Sequence, residues 1–331
     1  MEILVESAQA ITQFFREQGY TEETLDCLGL AELPWNSLAK QSASAWAVTG
    51  NARLDLLIRL FYLGEAIAKS QGEKFIPKEI LHGLLTCRLL ERDGEWLQPG
   101  CLLTPFGELI LACDSWRSAN AYAADLVLGV NPTTQLLARC SMLRPRGKAL
   151  DLGTGCGTLA LAAAPSAESV IGTDINRRAL DFGRINAALN GVSNVSFLHG
   201  DRFEPVAGRR FDSIISNPPF FLAPVSGLLY CENSMELDGF VESLARSARN
   251  FWKRAACFRC SASGWRSNRN RGSSVSGGGS NNPIAMSISG DVMKSAPRNT
   301  RESVRWSRVN FIQSRPGHRL GSESPTLQNG A

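Results

Sequence analysis

Residues 217–220 read Asn-Pro-Pro-Phe, and this run carries the clearest chemical signal in the chain. Asn217 offers a side-chain carbonyl as a hydrogen-bond acceptor, and the backbone carbonyl of Pro218 offers a second. Two such acceptors can hold both N–H bonds of a flat NH2 group, such as an amide or the exocyclic amine of a base. Pro218 and Pro219 have no N–H to compete and restrict the backbone, and Phe220 can stack on the flat group. Asn217, Pro218, Pro219 and Phe220 are therefore the predicted catalytic residues.

The chemistry that this arrangement suits is substitution at a weakly nucleophilic nitrogen. The lone pair of an amide or base amine is delocalised, so the protein's main contribution would be to aim it. Orientation of this kind can supply roughly 7–11 kcal/mol in well-aligned reactions. No separate strong base is required, because the substituted nitrogen is far more acidic than the starting amine.

A second signal is the run Asp-Leu-Gly-Thr-Gly-Cys-Gly at residues 151–157, which follows a short apolar strand. Alternating glycines let the backbone turn tightly and approach a ligand closely. The helix that follows would turn its free N–H groups toward a carboxylate. Dinucleotide sites and simple strand–helix turns share this pattern, so the loop alone does not identify a ligand.

Polar residues also stand where the next three predicted strands end. Asp174 ends the second strand, Asp201 follows the third and Asn217 follows the fourth. The carboxyl ends of parallel strands meet at one edge of a sheet, where ligands bind. Taken singly, Asp174 and Asp201 could be ordinary helix caps. Taken with the glycine loop, they predict a single site.

The elements that would position these residues alternate between strand and helix. The predicted strands are 149–152, 169–174, 195–198 and 211–217, and helices are predicted over 159–164 and 178–189. This alternation predicts an α/β fold with a parallel, doubly wound sheet over residues 148–253.

Residues 1–115 are predicted to form a mainly helical N-terminal domain. Helical spacing begins at Leu54, a second helix starts near Pro77, and Asp93-Gly94 signals a hairpin. Helices followed by a hairpin resemble a winged-helix module, which can bind nucleic acid or serve as a protein-contact or structural unit. Residues 116–147 form a bridge, in which Thr133 or Thr134 is expected to cap a short helix.

Charge divides the chain into two parts. Residues 1–253 hold 23 Lys and Arg against 28 Asp and Glu, whereas residues 254–331 hold 12 against 3. The acidic body gives no electrostatic case for tight nucleic-acid binding. The tail contains 15 Ser and 9 Gly and lacks sustained periodicity, which predicts disorder.

Other features of the sequence restrict the compartment and the metal content. Cys257 and Cys260 make a Cys-x-x-Cys pair with no second pair or histidine partner, so no metal site is expected. The start of the chain lacks the basic region and apolar run of a secretion signal. No stretch approaches about 18 consecutive apolar residues. We expect a cytoplasmic protein without a membrane span.

With these motifs in place, residues 148 to about 240 resemble the class I S-adenosylmethionine (SAM)-dependent methyltransferases. The resemblance rests on the glycine-rich loop and the Asn-Pro-Pro-Phe run, and it implies a Rossmann-like sheet and SAM as cofactor. The families that the chain resembles in these motifs include the release-factor glutamine methyltransferases and the rRNA guanine-N2 and adenine-N6 methyltransferases. The cofactor contacts predicted in this way are Asp151, Gly153, Thr154, Gly155, Gly157, Asp174, Asp201 and Asn217.

The resemblance leaves three functions open. The leading expectation is methylation of a glutamine side-chain amide in a protein such as a release factor. The alternative is methylation of ribosomal RNA at guanine N2 or adenine N6, which Phe220 favours because glutamine methyltransferases commonly carry tyrosine there. A third hypothesis is an inactive SAM-binding remnant, because the family continues with further strands where this chain becomes rich in Ser, Gly and Arg.

The tail motivates the third hypothesis. We predict that the core is truncated after its fourth strand and the following helix, and that residues 254–331 are disordered or result from a frameshift near Arg254. The rival interpretation is a natural basic tail that contacts nucleic acid. An uninterrupted reading frame in the gene, matched by the peptide mass of the tail, would exclude a frameshift.

Overall fold

The N-terminal part of the chain forms helices around small antiparallel sheets. The computed structural model describes residues 5–30, 48–115, 125–140, 147–217, 243–244, 247–262, 284–289 and 310–312. The first helices are α1 (Val5–Glu17), α2 (Glu22–Cys27), α3 (Ala52–Leu57, continued by a π-helical turn over Ile58–Tyr62), α4 (Lys69–Phe75) and α5 (Lys78–Thr86). Strands β1 (Ile67–Ala68), β2 (Leu90–Asp93) and β3 (Trp96–Pro99) form a sheet in the order β1-β3-β2. Strand β4 (Leu102–Phe106) pairs antiparallel with β5 (Leu109–Cys113).

Local sequence accounts for these elements. Asp93 pairs with Trp96 across the predicted hairpin, and Gly94 takes the left-handed conformation at φ +57° that the turn requires. Pro77 immediately precedes α5, as predicted. A helix, a short strand, two helices and a hairpin follow one another in the order typical of winged-helix modules. The winged-helix assignment of residues 1–115 stays a prediction.

The C-terminal half contains the predicted parallel sheet. Its first four strands are β6 (Gly147–Leu152), β7 (Ala167–Asp174), β8 (Val195–His199) and β9 (Phe211–Ser216), accompanied by helices α6 (Pro132–Cys140), α7 (Thr158–Ala163) and α8 (Arg177–Leu189). These strands pair in parallel in the order β9-β6-β7-β8, which confirms the α/β fold. The strand order reverses at β6, so the loop after β6 lies at the switch point where such sheets bind ligands.

The sheet continues beyond β9, which corrects two expectations. Strands β10 (Trp252–Ala262), β11 (Ile284–Ser289) and β12 (Asn310–Ile312) extend it to seven strands. Strand β10 runs parallel to β9, with residues 257–260 beside 213–216. The core is therefore not truncated at its fourth strand, and the tail is not disordered throughout. Composition averaged over the tail obscured a short apolar run at 255–258, and the edge of β9 supplies the backbone partners that such a run needs.

One hydrophobic core joins the N-terminal helices to the parallel sheet. Phe15, Leu57 and Phe61 from the N-terminal part belong to the same buried cluster as Phe182 and Ile185 of α8. The predicted boundaries at residues 115 and 148 therefore do not separate two independent cores. The longest described helices have 13 residues, and no helix in the described ranges is long and apolar enough to cross a bilayer.

The ring of Phe197 on β8 occupies a space left by three glycines. A Cβ atom built on Gly172 would lie 2.8 Å from the ring, and one built on Gly183 would lie 2.7 Å from it. A Cβ atom built on Gly157 would lie 3.1 Å from the same ring. Because these three residues have no side chains, β7, α8 and the glycine loop can all pack directly against the Phe197 ring. Protein interiors are close-packed, so this space has no room for an extra methyl group.

We expect Gly172→Ala to lower the free energy of unfolding by about 1–3 kcal/mol, because the new methyl group overpacks this space. Urea denaturation of the purified protein measures the loss. The second substitution Phe197→Leu, made in the same chain, should restore part of it. Equal stability of the wild type and Gly172→Ala would show that the space around Phe197 is not as tight as described.

Candidate functional site

The Asp151 side chain forms hydrogen bonds to the glycine loop and to the helix that follows it. Its side chain is fully buried at the end of β6. Its Oδ2 atom accepts a hydrogen bond from Thr154 Oγ1 at 2.7 Å and another from the backbone N–H of Ala160 at 3.0 Å. The first bond fixes the middle of the loop, and the second satisfies an N–H in the first turn of α7 that no helical carbonyl can reach. One carboxylate therefore ties the loop to the helix that follows it.

The second oxygen of this carboxylate lies in an unusual environment. Among the described residues, Asp151 Oδ1 is buried and has no hydrogen-bond partner. Burial raises the pKa of Asp151 to about 7, although the hydrogen bonds from Thr154 and Ala160 act in the opposite direction. A buried carboxylate oxygen without a donor is costly, and a cationic or N–H-bearing ligand would lower that cost.

The glycines of the loop have the conformations that the motif predicts. Gly153, Gly155 and Gly157 have φ values of +71°, +54° and +87°, in the left-handed region that side chains disfavour. A Cβ atom on Gly153 or Gly155 would meet nothing within 4 Å in the described structure. Open space therefore adjoins two of the three glycines, and a ligand can approach their backbone.

Asp174 forms a second tie to the same loop. Its Oδ2 atom accepts from the N–H of Gly155 at 2.9 Å, and its Oδ1 atom accepts from the N–H of Asn176 at 2.9 Å. Burial raises the pKa of Asp174, which its backbone hydrogen bonds oppose. Each carboxylate oxygen has a further lone pair, so Asp174 can still accept a hydrogen bond from a ligand hydroxyl.

Ile175 lies next to Asp174 and belongs to no sequence motif. Its side chain is 53 % exposed, which makes it one of few large apolar side chains on the described surface. His199 Nε2 lies 2.9 Å from the Ile175 carbonyl oxygen and fixes the backbone there. A solvated apolar side chain beside the glycine loop could have been inferred from its place directly after a strand-ending acid.

Asp201 differs from the other two acids. Its side chain is 47 % exposed and forms an ion pair with the neighbouring Arg202, whose Nη2 lies 3.1 Å away. Arg202 itself has φ +45°, which is rare for a residue with a side chain. The structure thus places Asp201 at the end of β8 but does not tie it to the glycine loop. Its predicted contact with an adenine stays a prediction.

Asn217 is positioned by hydrogen bonds that connect it to Thr134 on α6 and, through Thr134, to Asn131. Its Nδ2 atom donates to Thr134 Oγ1 at 2.8 Å, and Thr134 Oγ1 lies 3.1 Å from Asn131 Oδ1. Asn131 Oδ1 is an acceptor only, so the Thr134 hydroxyl gives its proton to Asn131 and must accept from Asn217. This order turns the NH2 end of Asn217 toward α6 and its carbonyl end away from Thr134. Pro218, Pro219 and Phe220 lie outside the described residues.

The start of α6 corrects one expectation. Asn131 Oδ1 accepts from the backbone N–H of Thr134 at 2.8 Å, so Asn131 caps the helix rather than Thr133 or Thr134. Thr134 is left to contact Asn217, and its side chain is 7 % exposed. The sequence could not assign these roles, because Thr134 and Asn217 lie on different elements and meet only in the folded chain.

Sequence comparisons agree with this geometry. Residues 118–226 match the family model of the methyltransferase small domain. A release factor glutamine methyltransferase from Xylella fastidiosa is 48 % identical over 73 residues, covering 21 % of this chain and 26 % of the relative. One from Buchnera aphidicola is 28 % identical over 165 residues, covering 44 % and 58 %. A ribosomal protein L11 methyltransferase from Tolumonas auensis is 35 % identical over 159 residues, covering 42 % and 53 %.

The match extends over only part of each protein. The chain spans between 26 % and 58 % of the length of these relatives. Among solved structures, a T. thermophilus 16S rRNA N2 methyltransferase in complex with AdoMet and guanosine is 18 % identical, covering 60 % of this chain and 55 % of that one, with a TM-score of 0.38. A similarity at this TM-score does not bear on function. The family-model match to the methyltransferase small domain includes the loop after β6, so this part of the chain is similar to methyltransferases.

Proposed function

We propose that the chain transfers a methyl group from SAM to a planar nitrogen of a protein, most simply a glutamine side-chain amide. The observation that carries this proposal is the fixed orientation of Asn217. Thr134 binds its NH2 end at 2.8 Å, which fixes which end of the Asn217 amide is the donor and which is the acceptor. A side chain that could rotate freely would offer a donor as often as an acceptor, and would orient an amide poorly.

The residues around the glycine loop fit the cofactor. SAM supplies an electrophilic methyl group and carries an ammonium group, a ribose and an adenine. The buried, unpartnered Oδ1 of Asp151 suits the cationic end, and Asp174 has lone pairs left for hydroxyl groups. Ile175 offers an exposed apolar side chain for a flat base. Gly153, Gly155, Gly157, Thr154 and Asp201 complete the proposed cofactor site.

Two observations favour a protein over RNA as the methyl acceptor. The relatives described above are named for a release factor and for ribosomal protein L11, both of which are proteins. The tip of the β2–β3 hairpin exposes Glu91, Asp93 and Glu95 against one basic residue, Arg92. A hairpin of this charge would repel a phosphate backbone and suits a basic protein surface instead.

The acceptor can be identified by radiolabelling. The full chain is incubated with tritiated SAM and, separately, with a release factor, ribosomal protein L11 or ribosomal RNA, and mass spectrometry locates the methyl group. We expect label in the release factor, on a glutamine. Label confined to RNA would overturn the choice of a protein acceptor, and no label in any fraction, despite SAM binding, would favour the inactive remnant.

We expect Asn217→Ala to reduce kcat by about a hundredfold, the cost of losing one positioned polar group at a reacting centre. The KM for SAM, measured in the same assay, shows whether Asn217 also contacts the cofactor, as the sequence predicts. Thr134→Val, which removes the hydroxyl, should lower kcat about tenfold, and its matched control Thr134→Ser should stay within about twofold of the wild type. Equal activity of the valine and serine variants would show that Thr134 does not orient Asn217.

The raised pKa of Asp151 predicts that SAM binding depends on pH. The ammonium group of SAM favours the ionised carboxylate, so affinity should increase as pH rises through about 7. The free energy of unfolding of the ligand-free protein should instead decrease as pH rises. The unfolded chain releases this proton at lower pH than the folded chain, so Asp151 destabilises the ligand-free fold progressively from about pH 4 to pH 7.

Isothermal titration of SAM between pH 6 and pH 8 tests this dependence. Asp151→Asn, which keeps an acceptor for Thr154 and Ala160 but cannot ionise, is the control and should bind SAM with a flatter pH profile. An equally steep profile in this variant would assign the pH dependence to another group.

A further inference from the structure

Asn186 on α8 and Asn190, which caps the C-terminus of that helix, lie one turn apart and bind the backbone of β5 in the N-terminal part of the chain. Asn190 Oδ1 accepts from the N–H of Ile110 at 2.9 Å, and its Nδ2 donates to the carbonyl of Ile110 at 2.8 Å. Asn186 makes the same pair of bonds with Ala112, at 2.6 Å and 3.0 Å. Each side-chain amide therefore pairs with one strand residue as a neighbouring strand would.

The two asparagines differ in their third hydrogen bond. Asn190 Nδ2 donates to the backbone carbonyl of Asn186, within its own helix, at 2.8 Å. Asn186 Nδ2 donates to the carbonyl of Cys156, in the glycine loop, at 2.8 Å. Asn186 is 0 % exposed, so solvent cannot replace either partner. Of these two asparagines, Asn186 is the one that connects β5 to the loop.

The bond to Cys156 fixes one peptide plane of the loop. The Cys156 carbonyl and the Gly157 N–H belong to the same planar peptide group. The N–H donates to the carbonyl of Thr154 at 2.9 Å, and the carbonyl accepts from Asn186. Both ends of the peptide group are thus held. Gly157 has φ +87°, and a glycine there would otherwise leave this plane free to rotate.

We propose that Asn186 is a positioning residue for the cofactor loop, and that through it the strand β5 forms part of the support of the SAM site. The inference rests on the proposed function in one respect, namely that the loop 153–157 binds SAM. In addition to packing against the sheet, the N-terminal part would then help to order the cofactor loop through β5 and Asn186. Docking of β5 onto α8 orders the loop, and SAM bound at the loop strengthens the docking of β5 in return.

The matched variants Asn186→Ala and Asn190→Ala test this proposal. Each loses two hydrogen bonds to β5, so both should melt at a lower temperature than the wild type, and Asn186→Ala at the lower of the two, because Asn186 is fully buried whereas Asn190 is only partly buried. Only Asn186→Ala loses the bond to Cys156. We expect its Kd for SAM, measured by isothermal titration, to rise about five- to tenfold, whereas that of Asn190→Ala should stay within about twofold.

Amide exchange of the unmodified protein provides a second measurement that does not depend on how the variants fold. Addition of SAM should slow hydrogen–deuterium exchange of the Ala112 N–H, which is bonded to Asn186, more than that of the Ile110 N–H, which is bonded to Asn190. Equal slowing at both positions, or equal loss of SAM affinity in both variants, would overturn the positioning role. Failure of the wild type to bind SAM at all would instead overturn the proposed function.

Discussion

The buried carboxylate of Asp151 is the interaction on which the rest of the site depends. Its position under the glycine loop removes it from water, which by itself costs several kcal/mol, and two hydrogen bonds offset only part of that cost. These two hydrogen bonds connect the end of β6 to the glycine loop and to the start of α7, at the switch point of the sheet. Two further side chains complete the support: Asp174 from β7 binds Gly155, and Asn186 from α8 binds Cys156. Three consecutive loop residues, 154–156, are thus each held by a different element.

The candidate acceptor-binding residue has a separate support. Asn217 follows β9 and is oriented by Thr134 on α6, whereas the glycine loop is held from β6, β7 and α8. The two sets of hydrogen bonds share no side chain, so the glycine loop and Asn217 are positioned separately. Such a division suits a domain that keeps one cofactor while accepting different substrates.

Periodicity and strand-end residues predicted the core of the fold. The strands from 149 to 217 and the helices near 159 and 178 all occur where apolar spacing placed them, because these signals are local. The positions of Asp151 and Asp174 beside the glycine loop also followed from topology. The roles of Thr134, Asn131 and Asn186 did not, since each depends on a partner brought close only by folding. The same reason explains β10, whose pairing with β9 overrides the composition of the tail.

The asparagine pair on α8 has a consequence beyond the site. Strands β4 and β5 form a two-stranded ribbon, and the outer edge of such a ribbon would present unpaired N–H and C=O groups to any extended segment of another molecule. Asn186 and Asn190 occupy those groups at Ala112 and Ile110 with side-chain amides. Side chains of a helix thereby take the place of a neighbouring strand. Because the backbone groups of a helix bond within the helix, no new strand edge is exposed. The edge of β5 is therefore closed to intermolecular β-pairing at these two residues, and one of the asparagines that closes it also binds the glycine loop.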